Sequence, residues 1–133
     1  MDLTEKNDFR YPVDEAFLSN VHEEIIFQVK RLQHHPSIVL WAGNNENEAA
    51  IAQNWYNVSN DRINQTKDEY RQLYVGIVMN AVKMIDTGTN RPFVTSSPSN
   101  GIESIEENYI AKNPQDPLYG MLSTDLFRIE EFS

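Results

Sequence analysis

The stretch HHPSIVLWAGNNENE, residues 34–48, decides the fold because an apolar run passes directly into a cluster of amides and carboxylates. Residues 38–42 are continuously apolar and lie between Pro36 and Gly43, a pattern typical of a parallel strand covered on both faces. The polar residues 44–48 follow at the carboxyl end of this strand. In open α/β sheets and (β/α) barrels, ligands bind at that edge. The stretch therefore predicts an α/β fold with a candidate site directly after the strand.

Helical patterns lie on both sides of the predicted strand. Apolar residues at intervals of three or four predict a helix from Asp14, its N-cap, to about His34. A short helix is expected within residues 46–56, since alanines are good helix formers. A longer helix has an apolar face from Tyr70 to Ile85, and Gly88 is expected to end it.

A second buried strand is predicted at residues 91–96, with a proline near its start where no ladder hydrogen bond is lost. Two strands joined by a helical excursion form a βαβ unit, and so a parallel sheet with a right-handed crossover. Two strands alone do not make a stable sheet, and the remaining residues offer no strong strand candidate. The chain is therefore expected to be part of a larger domain.

Composition excludes several function classes. The chain has 133 residues, 40% of them hydrophobic, which is enough for the core of one globular domain. Its net charge of -9 argues against nucleic acid and anionic membrane surfaces as partners. We expect a soluble chain without a signal peptide, since no apolar run approaches the roughly 20 residues that span a bilayer. Cysteine is absent, and Asn57 and Asn64 begin N-x-S/T triplets, which are glycan acceptors in a secretory compartment or chance matches.

The amide and carboxylate cluster has the chemistry of a carbohydrate site. A carboxylic acid held at a strand end beside apolar groups such as Trp41 can act as a general acid on a leaving oxygen. A neighbouring amide such as Asn45 can hydrogen-bond a sugar hydroxyl without adding charge. Trp55 and Tyr56, a short way downstream, offer flat apolar faces to a sugar ring.

Simpler interpretations of the same residues are also open. Glu46 and Glu48 are explained equally well as acids at a helix amino terminus, and the asparagines as turn formers. His34 and His35 are interpreted as a solvated helix end, since no third ligand is placed by spacing. The acids Glu103, Glu106 and Glu107 are expected on an exposed helical face. No metal or cofactor is predicted.

Three motifs resemble the β-mannosidases of glycoside hydrolase family 2. They are KRLQHHPSIVLWAGNNENEAA at residues 30–50, NWY at 54–56 and NRPFVTSSPSNG at 90–101. An HPS triplet, an apolar strand and an NE pair are shared with β-galactosidases and β-glucuronidases, whereas GNNENE and RPFVTSSP point to the mannosidase branch. The resemblance covers residues 11–119, while 1–10 and 121–133 diverge.

The resemblance implies that residues 1–133 are a partial catalytic domain, a fragment of a (β/α)8 TIM barrel from about helix 3 to strand 5. It implies retaining hydrolysis of terminal non-reducing β-D-mannose from a β-mannoside oligosaccharide. Glu46 would be the acid/base and Asn45 would hold the sugar 2-hydroxyl. Trp55 would be an aromatic near the sugar, and Trp41 part of the wall. Ser96 and Ser97 would end the fifth strand facing the same cavity.

The same resemblance implies a lysosomal parent enzyme whose nucleophile lies on a seventh strand that this chain does not contain. The isolated chain is therefore expected to be inactive. One alternative is a non-catalytic interaction module, and another is a related hydrolase for galactose or glucuronic acid.

Overall fold

The computed structural model describes residues 9–114 and 116, in which helices alternate with two short strands. The elements in chain order are α1 (Glu15–Leu32), β1 (Trp41–Ala42), α2 (Asn47–Ala52), α3 (Ile63–Tyr70), a π-helical stretch (Arg71–Met79), α4 (Asn80–Ile85), β2 (Phe93–Val94) and α5 (Ile102–Glu106). In this part of the chain no helix is both long and apolar enough to cross a membrane.

The two strands pair in parallel, as the sequence predicts for a βαβ unit. Trp41 lies opposite Phe93, and an isolated bridge between Asn45 and Ser97 continues the pairing beyond the strands. Both strands are shorter than expected, and the prediction that the first is covered on both faces is wrong for this chain. Val39, just before β1, is 64% exposed, and Ala42 within β1 is also exposed. Within residues 9–114 and 116 the sheet has only these two strands.

Helix α1 begins where the sequence predicts. The Asp14 carboxylate accepts a hydrogen bond from Phe17 N at 3.0 Å, and so satisfies a backbone donor that the first turn leaves free. The helix ends at Leu32, before Pro36, and Val29 on its inner face is buried. It packs against α4 and the π-helical stretch of the crossover helix.

The crossover helix begins earlier and ends earlier than expected. It is continuous from Ile63 to Ile85, and its middle third is the π-helical stretch. Gly88 does not end it, because the backbone leaves the helical region at Asp86, where φ is -88° and ψ is 64°. Side-chain contacts of Asp86, and not the freedom of a glycine, fix the end of the helix.

Trp41, Asp86 and Arg91 form a hydrogen-bonded cluster at the amino end of the two strands, which we call the strand lock. Trp41 Nε1 donates to Asp86 Oδ2 at 2.7 Å, and Arg91 donates to the same carboxylate at 3.0 Å. Arg91 also donates through Nε to Ile38 O at 2.7 Å, so it ties the segment before β1 to the segment before β2. Burial alone would raise the pKa of Asp86, but hydrogen bonds from Trp41, Thr89 and Arg91 lower it on balance.

The hydrophobic core lies between the residues before α1, helix α2 and the crossover helix. Its buried members are Tyr11, Ile51, Tyr70, Leu73 and Ile110. The rings of Tyr11 and Tyr70 meet edge to face with centroids 5.8 Å apart, an arrangement that aromatic pairs favour. Burial raises the pKa of the Tyr70 phenol to about 12, and that of Tyr11 also rises by burial. The packing role expected for the Tyr70 to Ile85 face is confirmed at Tyr70 and Leu73.

Candidate functional site

The candidate site lies at the carboxyl end of the strands, where the chain leaving β1 stays attached to the chain leaving β2. Ser97 N donates to Asn44 O at 2.9 Å, and Glu46 N donates to Ser97 O at 3.0 Å. Because both bonds are backbone bonds, they fix the path of residues 44–46 independently of side-chain rotamers. The polar cluster of the sequence and the serines after the second strand therefore meet at one edge, as predicted.

Glu46 stands at the sharp bend between this edge and α2. Its φ of 61° and ψ of 2° place it in the left-handed region, which is uncommon for a residue other than glycine. Glu46 is the N-cap residue of α2, a position that agrees with the simpler interpretation of an acid at a helix amino terminus, but its carboxylate makes no capping hydrogen bond. The side chain is partly exposed. The bend thus places a partly exposed glutamate at the carboxyl end of the two strands.

Asn44 organises the bend from within. Its Oδ1 accepts hydrogen bonds from Ser96 Oγ at 2.8 Å and from Asn47 N at 3.1 Å. Its Nδ2 donates to Thr95 O at 2.6 Å. Asn44 is therefore a turn former, as the simpler interpretation has it, and it also binds the bend to the strand pair. The same contact gives Ser96 a structural partner that sequence patterns did not reveal.

Glu48 lies in the first turn of α2, as the simpler interpretation has it, but it is also held by residues distant in sequence. Its side chain is completely buried, and Oε1 accepts hydrogen bonds from Ser104 Oγ at 2.8 Å and Ala111 N at 2.6 Å. Glu48 N donates to Ser96 Oγ at 3.3 Å. Burial raises the pKa of Glu48, although the two hydrogen bonds to its carboxylate act in the opposite direction. Sequence patterns did not reveal these contacts, because the partners lie 56 and 63 residues away in sequence.

The other candidate residues are placed differently with respect to this edge. Asn45 is exposed beside Glu46, and its backbone oxygen accepts from Asn47 Nδ2 at 3.2 Å. Trp55, just after α2, is 49% exposed. Trp41 lies at the opposite end of the strands, where its indole is bonded to Asp86. Its predicted place in the wall of the site stays a prediction, and the contact with Asp86 gives it a structural role.

The remaining polar residues that the sequence singled out lie away from the bend. His34 and His35 are exposed just after α1, with ring centroids 4.2 Å apart. The acids at the α5 end are only partly an exposed face, since Glu106 is exposed while Glu103 and Glu107 are half-buried. Lys112 N donates to Glu107 Oε2 at 2.7 Å. In the part of the chain that is described, no group of three histidines or acids is arranged to hold a metal ion.

Comparison with known proteins agrees with this geometry and with the motifs. The chain is homologous to one part of several proteins named as β-mannosidases. Over 110 residues it is 42% identical to a β-mannosidase of Mus musculus and 43% identical to one of Bos taurus. A probable β-mannosidase of Caenorhabditis elegans is also 43% identical over 110 residues. In each case the match covers 83% of this chain and only 12% of the relative.

A solved structure shows the same relationship. The crystal structure of a β-D-mannosidase from Dictyoglomus thermophilum superposes with a TM-score of 0.57 and is 35% identical. It covers 69% of this chain, which corresponds to 10% of that protein. No protein-family model matches the chain. The resemblance to β-mannosidases inferred from the sequence is thus confirmed by sequence and by structure.

Proposed function

We propose that this chain supplies the acid/base half of a retaining β-mannosidase site, with Glu46 as the proton donor. The observation that carries the proposal is the Glu46 bend: a partly exposed carboxylate that caps no helix, held by backbone bonds at the carboxyl edge of a parallel strand pair. Glu46 would protonate the glycosidic oxygen as the bond to the sugar breaks. As a carboxylate it would then take a proton from the water that releases the sugar.

Two exposed residues, Asn45 beside Glu46 and Trp55 after α2, have side chains suited to the recognition of a sugar. Asn45 is exposed directly beside it and would bind the 2-hydroxyl of a terminal β-D-mannose through its amide. The half-exposed Trp55 would contact the apolar face of the ring. Trp41 is left out of this set because its indole is bonded to Asp86 at the other end of the strands.

The proposal requires a larger catalytic domain than these residues provide. A retaining mechanism needs a nucleophilic carboxylate about 5 Å from the acid. We assign no such partner to any residue of this chain, and we propose that the chain is one part of a (β/α)8 barrel, from about helix 3 to strand 5. The parent would be a lysosomal enzyme of glycoside hydrolase family 2. The isolated chain is expected to release no 4-nitrophenol from its β-mannoside.

The test is Glu46→Gln in an intact catalytic domain that contains this chain. For a mannoside with a sugar leaving group, kcat/KM should fall by about 100-fold or more, since the leaving oxygen requires a proton. For 2,4-dinitrophenyl β-mannoside, kcat/KM should fall by less than about tenfold, because that phenolate leaves without protonation. Azide, a nucleophile that needs no base, should restore turnover and yield β-mannosyl azide.

The matched control is Glu23→Gln, an exposed acid on α1 at which both kcat/KM values should be unchanged. Equal losses on both substrates in Glu46→Gln, without rescue by azide, would remove Glu46 from the acid/base role. Aryl galactosides and glucuronides assayed in parallel test the choice of sugar. A higher kcat/KM on either would replace mannose in the proposal while leaving the chemistry intact.

A second candidate function, that of a non-catalytic interaction module, is favoured by apolar side chains that are exposed in the isolated chain. Val39 beside β1 is 64% exposed and Phe27 on α1 is 60% exposed. A truncated product of this kind would act as a non-catalytic interaction module. Sedimentation and circular dichroism of the purified chain distinguish the two, since an ordered self-associated species favours the module and a disordered monomer contradicts it.

A further inference from the structure

Glu46 adopts a conformation that its own side chain does not stabilise. The left-handed region is unfavourable for a residue other than glycine, because Cβ crowds the carbonyl oxygen. The surrounding structure must hold such a residue in place. The contacts of Asn44 and Glu48, two positions before and two positions after Glu46, are therefore the ones to consider.

Asn44 holds the side before the bend through the bonds to Ser96, Asn47 and Thr95 described above. Glu48 holds the side after the bend, because its carboxylate is bonded to Ser104 and Ala111. Ser96 connects the two sides, since its hydroxyl donates to Asn44 Oδ1 and accepts from Glu48 N. The bend is thus clamped from both ends onto the segment that follows β2.

Of the three residues that hold the bend, Asn44, Glu48 and Ser96, Glu48 is the one whose burial is energetically unfavourable. It is wholly buried with no lysine or arginine bonded to it among the described residues, and its Oε2 accepts no hydrogen bond from any of them. A buried carboxylate of this kind is expensive, so a contribution to packing alone would be met better by an apolar residue. The two hydrogen bonds that Oε1 accepts from Ser104 Oγ and Ala111 N explain why a glutamate is buried here.

We infer that Glu48 is a positioning residue for Glu46, which fixes the left-handed bend by fastening the first turn of α2 to Ser104 and Ala111. The inference rests on the proposed function of Glu46 for its consequence in catalysis. Glu48 itself touches no substrate, because its side chain has no exposed surface. What it requires is a hydrogen-bond acceptor at Oε1, and not a negative charge or a transferable proton.

Substitution by glutamine therefore distinguishes the two roles, because glutamine can replace a hydrogen-bond acceptor at position 48 but cannot replace a proton donor at position 46. Glu48→Gln keeps an acceptor oxygen of the same reach, whereas Glu48→Ala removes it. In the 133-residue chain, the three-bond coupling between the amide and α protons of Glu46 reports φ. We expect this coupling to change in Glu48→Ala and to be kept in Glu48→Gln. An unchanged coupling in a folded Glu48→Ala chain would overturn the inference.

The same variants in the intact catalytic domain test the catalytic consequence. Glu48→Ala should lower kcat/KM by about 10- to 100-fold for a mannoside with a sugar leaving group. It should leave 2,4-dinitrophenyl β-mannoside nearly unaffected, since Glu48 acts through the proton donor. In a Glu46→Gln background, Glu48→Ala should add little further loss, whereas a residue with a general structural role would multiply the two losses.

If Glu48→Ala does not fold, Ser104→Ala replaces it, because that change removes one of the two donors and retains the carboxylate. A smaller change of the Glu46 coupling in the same direction is then expected. An unchanged coupling would contradict the role of Glu48 in holding the bend. A change in coupling without any dependence of activity on Glu46 would refute the proposed function and leave the positioning role standing. If activity depends on Glu46 but the coupling does not change, the positioning role of Glu48 is refuted and the proposed function of Glu46 stands.

Discussion

Replacing Gly43 by alanine is expected to destabilise the chain through a steric clash with the neighbouring strand. A β-carbon at this position would lie 2.8 Å from Thr95 O and 3.0 Å from Phe93 Cζ. Ordinary contacts begin near 3.4 Å, so the backbone at Thr95 has to move by about 0.6 Å. Thr95 O also accepts from Asn44 Nδ2, so the displacement loosens the residue that organises the candidate site.

The expected loss of unfolding free energy is about 2 kcal/mol, the middle of the range for inserting a methyl group into a filled space. For a chain of this length the melting temperature should fall by roughly 8 °C. Urea unfolding followed by circular dichroism measures the free energy directly, provided that the slope with urea is the same in both chains.

Gly76→Ala is the matched control, because the same chemical change meets open surroundings in the crossover helix. Its β-carbon would lie 3.7 Å from Arg71 O, an ordinary contact. Alanine is favoured over glycine inside helices by about 1 kcal/mol, so this variant should be more stable than the unsubstituted chain. If Gly43→Ala is as stable as Gly76→Ala, the close approach of the two strands at Gly43 is refuted.

Two further predictions concern the helix start and the strand lock. Asp14→Ala should lower the unfolding free energy by about 1 kcal/mol through loss of the cap on Phe17 N, and Asp14→Asn should lose much less; equal losses in urea unfolding would contradict the cap. Asp86 has a pKa lowered from its ordinary value of 3.8, so its contribution to stability is present above that value and is lost as pH falls through the lowered one. Asp86→Asn should therefore flatten the fall in melting temperature on acidification, and an unchanged profile would contradict the bonds from Trp41 and Arg91.

The sequence predicts those features of the fold that depend on neighbours close along the chain. The start of α1 at Asp14 follows from local capping chemistry, and its end follows from Pro36. The parallel pairing of β1 and β2 follows from the order of apolar runs and the helix between them. The family resemblance places Ser97 on the same side as Glu46, and in the structure Glu46 N donates to Ser97 O.

What the sequence did not predict depends on partners that are distant along the chain. The crossover helix ends at Ile85 because Trp41 and Arg91 hold Asp86, and neither contact is visible in local propensity. Glu48 is buried because Ser104 and Ala111 lie over it, although a glutamate in a first helical turn ordinarily faces solvent. The left-handed backbone of Glu46 is similarly a property of its surroundings, since local preference disfavours it.

The separation between Glu48 and Ala111 sets an order of events during synthesis. The bend at Glu46 cannot be completed until about sixty further residues have left the ribosome, because Ala111 lies 63 positions downstream of the carboxylate that it contacts. At usual rates of elongation this is a delay of several seconds. During this time the nascent chain contains Glu46, the proposed proton donor, without the contact that we infer to hold its left-handed conformation. A product that stops soon after β2 would contain Glu46 but lack the Ala111 contact that we infer to fix its conformation.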